Sequence, residues 1–251
     1  MSPRLATALD IAYRAGRTTL SRFQSQPHVV YKADATPVTE ADRQAERMIR
    51  EELARAFPAE PVLGEEEGGA EDAADRWVLD PIDGTKSFIA GVPLYATLLS
   101  YEVDQQPVLG VCYFPALDEM LFAEQGGGAW FNGRPCRVSP TTDPARAIIC
   151  HAGFKGMAQH GFASGLGRIA AQTLATRTWC DAYGHALVAS GRVEAMIDPV
   201  IARWDISAIT VIVEEAGGRF TDTQGSPGVG PSAVSSNGAL HDWLLRELHG
   251  A

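Results

Sequence analysis

Apolar residues recur at helical spacing at the start of the chain. Leu5, Ala8, Leu9, Ala12, Ala15 and Leu20 share one face, which predicts an amphipathic helix over residues 4–23. A loop is expected over 26–37. Thr39-Glu40-Ala41-Asp42 then reads as a capping box, and Ala45, Met48, Ile49, Leu53 and Phe57 form the apolar face of a second helix that Pro58 and Pro61 end. From Pro61 onward the period shortens. Apolar runs at 76–79, 95–101, 108–114 and 119–123 have strand length, and Asn132-Gly133 between β-formers predicts a hairpin turn. After about Pro140, strands at 147–150, 176–179, 193–197 and 219–222 alternate with helices at 183–190, 206–216 and 240–248, which is α/β order. The pattern divides the chain into an α+β half, 1–140, and an α/β half, 141–251, within one continuous unit.

Composition narrows the class. The 251 residues are 45% hydrophobic, enough for a full core, and 21% charged, as in ordinary globular proteins. No run approaches the roughly 18 apolar residues of a membrane span. The first residues lack the apolar stretch of a signal peptide, so a cytoplasmic protein is expected. A formal charge of −10 works against nucleic-acid binding, which depends on neutralising phosphates with Lys and Arg. Cys112, Cys136, Cys150 and Cys180 show no Cys-x-x-Cys pairing and read as reduced thiols.

The chemistry concentrates at Trp77-Val-Leu-Asp80-Pro81-Ile82-Asp83-Gly84-Thr85. An apolar run ends in two aspartates three apart, with Gly-Thr directly behind them. Carboxylates at this density repel one another unless a cation sits among them, and hard oxygen donors suit Mg²⁺ better than Zn²⁺. A Gly-Thr pair opening a helix offers backbone N–H groups to an anion. Two more segments add acids: Gly64-Glu65-Glu66-Glu67-Gly68, and Trp204-Asp205 at the start of an apolar-periodic helix. The glycine-rich stretch 126–134 has neither P-loop nor Rossmann spacing.

These segments, in this order, resemble the inositol monophosphatase superfamily of Mg²⁺-dependent phosphatases, and the likeness runs from Thr39-Glu40-Ala41-Asp42 to Ser235-Ser236-Asn237-Gly238. The resemblance implies a five-layer α/β/α/β/α fold and a homodimer. By motif, Glu65, Asp80 and the carbonyl of Ile82 would hold one Mg²⁺, and Asp80, Asp83 and Asp205 a second. Some relatives take a third, weaker ion near Glu65. Li⁺ is expected to inhibit. Glu65 and the Thr85 hydroxyl would orient the attacking water, Asp83 completes the catalytic set, and the N–H groups of Gly84 and Thr85 would hold phosphate. Asp42 and Lys32 match supporting positions in the family. Glu66 and Glu67, flanked by glycines, read as surface acids.

The leaving group would be read by the second half. Asp181-Ala-Tyr-Gly, with Asp198-Pro199 seven residues before Asp205, looks more like the histidinol-phosphate phosphatase branch than the inositol-specific one. Histidinol carries an ammonium group, and Asp181 and Asp198 could pair with it through charge-assisted bonds. Asp181 could equally cap the helix behind it. His185 stands where that branch often has Tyr, and a protonated imidazole facing the cleft would oppose a cationic substrate. Two other readings stay open: an inositol-1-phosphate phosphatase, and an interaction protein of a transcription complex.

Overall fold

The protein is seen in a computed structural model whose described residues are 1–32, 36–179 and 181–250. The middle of the expected 26–37 loop and the Cys180 thiol lie outside them. Two large sheets alternate with three layers of helix. The first sheet has eight strands in the spatial order Arg134–Cys136, Ala129–Phe131, Glu119–Glu124, Gln106–Phe114, Ala96–Val103, Arg76–Asp83, Val62–Gly64, Gly68–Gly69. Its pairings are antiparallel except Val62–Gly64 against Arg76–Asp83, which is parallel. The second has five, in the order Ala175–Arg177, Ile148–His151, Ala195–Asp198, Ala233–Ser236, Arg219–Thr221.

Three apolar clusters cement the layers. Helices Pro3–Thr19 and Glu40–Ala56 place Ala8, Ile11, Ile49 and Leu53 against Trp77, Leu99 and Val111 on the outer face of the eight-stranded sheet. Helices Asp181–Ala189 and Arg203–Glu215 fill the space between the sheets, where Ala186, Ile209 and Ile212 meet Leu98, Cys112 and Phe114 on one side and Ala233 on the other. Helices Ala163–Gln172 and His241–His249 cover the outer face of the second sheet through Leu166, Ile169 and Leu244. The architecture is the five-layer α/β/α/β/α fold. Its central strands are covered on both faces, which is why Arg76–Asp83 is buried at every position and its Trp77-Val78-Leu79 stretch is apolar without alternation.

The predicted elements recur with ends moved by a few residues. Thr39 accepts from the backbone N–H of Ala41, and the Asp42 side chain accepts from the backbone N–H of Thr39, so the capping box forms with aspartate in the place of glutamate. Asn132 and Gly133 both take positive φ, 47° and 74°, as a tight hairpin turn requires. The expected loop after the first helix differs. Within it Val29–Tyr31 pairs with Pro37–Thr39 as a two-stranded ribbon. The helices Phe154–Gln159 and Ala163–Gln172 and the strand Ala233–Ser236 were not foreseen, because Gly153, Gly156, Gly165 and Gly167 break the helical signal and the run Ala233–Ser236 is half serine. Among the described residues no helix is long and apolar enough to cross a membrane.

Candidate metal centre and active site

Asp80 and Asp83 stand three apart, so a regular strand would point them to opposite faces. The pairing corrects this. Asp80 is opposite Leu98 but Asp83 is opposite Ala96, leaving two residues on this strand against one on its partner. That extra residue is a bulge, and it turns both carboxylates to the same side. Asp80 Oδ1 accepts from the Ile82 N–H at 2.9 Å, and the Pro81 carbonyl is held by Thr97 Oγ1 at 2.9 Å. The Ile82 carbonyl accepts from Thr85 Oγ1 at 3.1 Å.

Asp205 arrives from the opposite side, in the first turn of helix Arg203–Glu215, where its Oδ2 accepts from the Ala202 N–H at 2.7 Å. Gly110 lets that helix lie close, since a Cβ there would stand 2.2 Å from the Ala208 carbonyl. Carboxylate oxygens of Asp80, Asp83 and Asp205 come within 4.8 Å of one another. Burial first, and then the charges of Glu65, Asp83 and Asp205, hold the Asp80 carboxyl well above the usual range. Burial, with Asp181 and Asp205, does the same to Asp83. Burial pushes Asp205 up to about 7 against the pull of its backbone bond. Three hard oxygen donors that repel one another form a set to which divalent cations fit.

Glu65 lines the same cavity, of about 140 Å³, with Ile82, Gly84, Thr85 and Asp181. Its Oε1 accepts from Lys32 Nζ at 2.9 Å, and the same ammonium reaches Glu66 Oε1 at 2.8 Å. Burial pulls the Lys32 ammonium down, but its bonds to Glu66 and Glu65 outweigh that and the net shift is upward. Glu66 is therefore not the surface acid expected. Its side chain is only 5% exposed and burial lifts its carboxyl to about 7, whereas Glu67, 47% exposed, is solvated. The glycines around these acids serve a short strand pairing, Gly64 with Gly68, rather than an open loop.

Gly84 takes φ +79° at the start of helix Thr85–Ile89, a conformation that favours glycine. Thr85 Oγ1 lies 3.4 Å from Asp42 Oδ1, so the second helix's capping residue borders the site. Burial raises the Asp42 carboxyl, with the Thr39 bonds working against it.

On the leaving-group side, Asp181 is the first residue of helix Asp181–Ala189, with φ +57°. The first-turn N–H of Ala182 is capped from the other half of the chain, by Asp83 Oδ2 at 2.8 Å. Asp181 and Asp198 line a second cavity of about 80 Å³ that shares Asp83 and Asp205 with the first. His185 lines this second cavity too, but as a bonded ring and not an open imidazole. It is buried, with Nε2 3.0 Å from Asp198 Oδ2 and Nδ1 2.7 Å from Ser235 Oγ.

Three contributors escaped the sequence reading. Glu46, fully buried, accepts from the backbone N–H groups of Glu66 at 2.9 Å and Glu67 at 3.1 Å and from Arg50 Nε at 2.9 Å, so it fixes the acid loop. The signal was available: Glu46 falls in phase with Asp42, Ile49 and Leu53 on the buried face. Lys86, directly after the Gly-Thr pair, lines the same cavity as the acids from an exposed position. Glu102 joins Arg203 Nη1 at 2.8 Å to the sheet and so anchors the turn that carries Asp205.

An acid-lined cavity at the end of the eight-stranded sheet, with three carboxylates that could hold a metal ion beside a helix start, is an arrangement suited to hydrolysing anionic esters. The chain belongs to the inositol monophosphatase family, whose description matches residues 1–251. It is 40% identical to a histidinol-phosphatase of Chlorobaculum parvum over 99% of this chain and 97% of that protein. It is 34% identical to an inositol-1-monophosphatase of Mesorhizobium japonicum over 98% and 96%. A solved inositol monophosphatase from Thermotoga maritima superposes with a TM-score of 0.92, at 32% identity, covering 99% of this chain and 98% of that one. The protein is a phosphoric monoester hydrolase, and the resemblance drawn from its acidic segments holds along the whole chain.

Proposed function

We propose that this phosphatase hydrolyses L-histidinol phosphate to L-histidinol and phosphate with Mg²⁺, acting in the cytoplasm as a homodimer in histidine biosynthesis. One observation carries the choice of ester. Two carboxylates, Asp181 and Asp198, line a cavity that opens from the acid cluster and is small enough for an ammonium group. The higher identity to the histidinol-phosphatase than to the inositol-1-monophosphatase, 40% against 34%, supports the same reading.

Asp80, Asp83, Asp205, Glu65 and the Ile82 carbonyl would hold two Mg²⁺, with Asp80 shared between them and the first half of the chain supplying all but Asp205. Bound there, the cations would neutralise phosphoryl oxygens and lower the pKa of the attacking water. Glu65 and the Thr85 hydroxyl orient that water. Thr85 stands between the site and Asp42, whose raised carboxyl makes it an apt acceptor, so the water's proton can leave along Thr85 toward Asp42. The N–H groups of Gly84 and Thr85 hold the phosphate in line, with Lys86 adding positive charge. Asp181 and Asp198 bind the ammonium end of the leaving group.

The test is a steady-state comparison of L-histidinol phosphate with inositol 1-phosphate, with and without Mg²⁺. A kcat/KM higher for the histidinol ester and lost on chelation is expected. Equal or reversed preference defeats the assignment, and full activity after chelation defeats the metal scheme. Millimolar-range Li⁺ at limiting Mg²⁺ is expected to slow turnover.

A further inference from the structure

We infer that His185 is a positioning residue for specificity: through its bond to Asp198 it fixes the carboxylate that meets the leaving group. This rests on the reading of the Asp181–Asp198 cavity as the leaving-group site. His185 lies four residues after Asp181 in helix Asp181–Ala189, and both line the cavity. Asp198 ends the strand Ala195–Asp198, and Ser235 sits on the neighbouring strand, paired with Met196. Three elements thus converge on one imidazole. Its ring packs against Phe220 with centroids 5.8 Å apart, and the residue is 1% exposed. A buried ring with both nitrogens bonded has one orientation.

The direction of the bond follows from its partner. An ionised carboxylate only accepts, so Nε2 carries a proton toward Asp198 Oδ2, and Nδ1 pairs with the Ser235 hydroxyl. One oxygen of Asp198 is thereby occupied, and the other is what the carboxylate can offer to a ligand in the cavity it lines. Asp198 shares that wall with Asp83, Asp181 and Asp205, all acids. An unrestrained carboxylate there would swing away from its neighbours, and the imidazole N–H prevents that. The imidazole that looked unfavourable for a cationic substrate in the sequence lines the same cavity but turns its Nε2 to Asp198, and so becomes a device that helps to hold one.

The test uses the whole enzyme with Mg²⁺, and four variants: His185→Phe, His185→Gln, Asp198→Asn, and His185→Phe combined with Asp198→Asn. His185→Phe keeps a ring but removes the donor. It should raise KM for L-histidinol phosphate roughly ten- to a hundredfold, the range for a hydrogen bond to a charged group, while kcat changes by no more than about threefold. His185→Gln, which retains an N–H near the Nε2 position, should recover most of that loss. In the Asp198→Asn background His185→Phe should add less than about a twofold change, because the effect runs through Asp198. Full additivity of the two substitutions, or a fall in kcat with KM unchanged, overturns the proposal. Should His185→Phe fail to fold, His185→Leu and Ser235→Ala carry the same comparison, and kinetics for both identical to wild type also overturn it. The preference of the unaltered enzyme between L-histidinol phosphate and inositol 1-phosphate judges the substrate reading separately. The coupling is read on whichever of the two it turns over faster.

Discussion

Two clusters of buried charge lie on the same strand and the same helix, and they are built in opposite ways. At one end of Arg76–Asp83, Arg76 Nε donates to Glu102 Oε2 at 2.8 Å with both side chains almost fully buried. Glu102 Oε1 takes Arg203 Nη1 and Ser207 Oγ, each at 2.8 Å, and Ser100 Oγ donates to Ser207 Oγ at 2.6 Å. At the other end Asp80 and Asp83 meet Asp205, and among the described residues no Lys or Arg side chain forms an ion pair with any of the three. The first cluster is a closed network. The second has carboxylates that no Lys or Arg side chain pairs among the described residues, and burial with the charges of neighbouring acids raises all three. A fold that completes one buried charge network with two arginines does not leave its neighbour acidic for want of basic residues. The acidic cluster is a set of ligand atoms that could hold a metal ion, as the proposed function requires.

The contrast is broken most severely at Asp80. In the proposed two-metal scheme Asp80→Asn removes the carboxylate common to both positions, and activity should fall at least about a thousandfold, a loss of more than about 4 kcal/mol of transition-state stabilisation. The metal-free protein should fold as well as before or better, since one of three repelling buried charges is gone. Near-normal turnover at saturating Mg²⁺ sinks the two-metal scheme.

The opposite outcome belongs to the closed network. Arg76→Met leaves Glu102 buried with one partner fewer, and breaking a buried pair costs about 3–5 kcal/mol of stability. Thermal unfolding should show a large drop in Tm, equal with and without Mg²⁺. A drop that Mg²⁺ reverses would mean that the two clusters are one coupled unit.

The same contrast explains what the sequence disclosed. Asp80, Asp83 and Asp205 were legible because acids at the ends of apolar runs have few structural uses, and the family order of the segments set them apart. The layers were legible in outline, because helical and strand periods survive in Leu5 to Ala15 and in Arg76 to Leu79. The bulge that turns Asp83 beside Asp80 was not, since it exists only against Leu98 and Ala96 of another strand. Glu66 misled because burial came from Lys32 and from Glu46, about twenty residues away. The pairing of His185 with Asp198 needed a helix and a strand placed face to face, which no local pattern encodes.

Asp181 sharpens the comparison on the leaving-group side. If it binds an ammonium, Asp181→Ala should lower kcat/KM for L-histidinol phosphate by roughly ten- to a hundredfold, about 1.5–3 kcal/mol, and leave a neutral polyol ester nearly unchanged. Its left-handed backbone adds a second readout. Alanine tolerates φ +57° less well than aspartate, so Tm should fall modestly as well. A changed Tm with an unchanged substrate ratio would remove Asp181 from the binding site.

The smallest effect is in pH and metal removal, and its sign follows from the raised carboxyls. Asp205 sits at about 7 when folded, and Asp80 and Asp83 are raised as well, against an ordinary value of 3.8. Between those limits the folded, metal-free protein binds more protons than the unfolded chain, so unfolding releases protons and stability falls as pH rises. Each such group contributes at most about 1.4 kcal/mol per pH unit. Chelated protein should therefore lose Tm from pH 5 to pH 7. Mg²⁺ should flatten the slope, because bound cations replace the protons and favour the ionised acids. The Asp80→Asn variant should show a shallower slope without metal. Glu102→Gln should lower Tm through the loss of its ion pairs with Arg76 and Arg203. A chelated protein whose Tm is flat or rises from pH 5 to pH 7 would mean that the three aspartates are not held as a repelling set, and the distinction between the two clusters would fail.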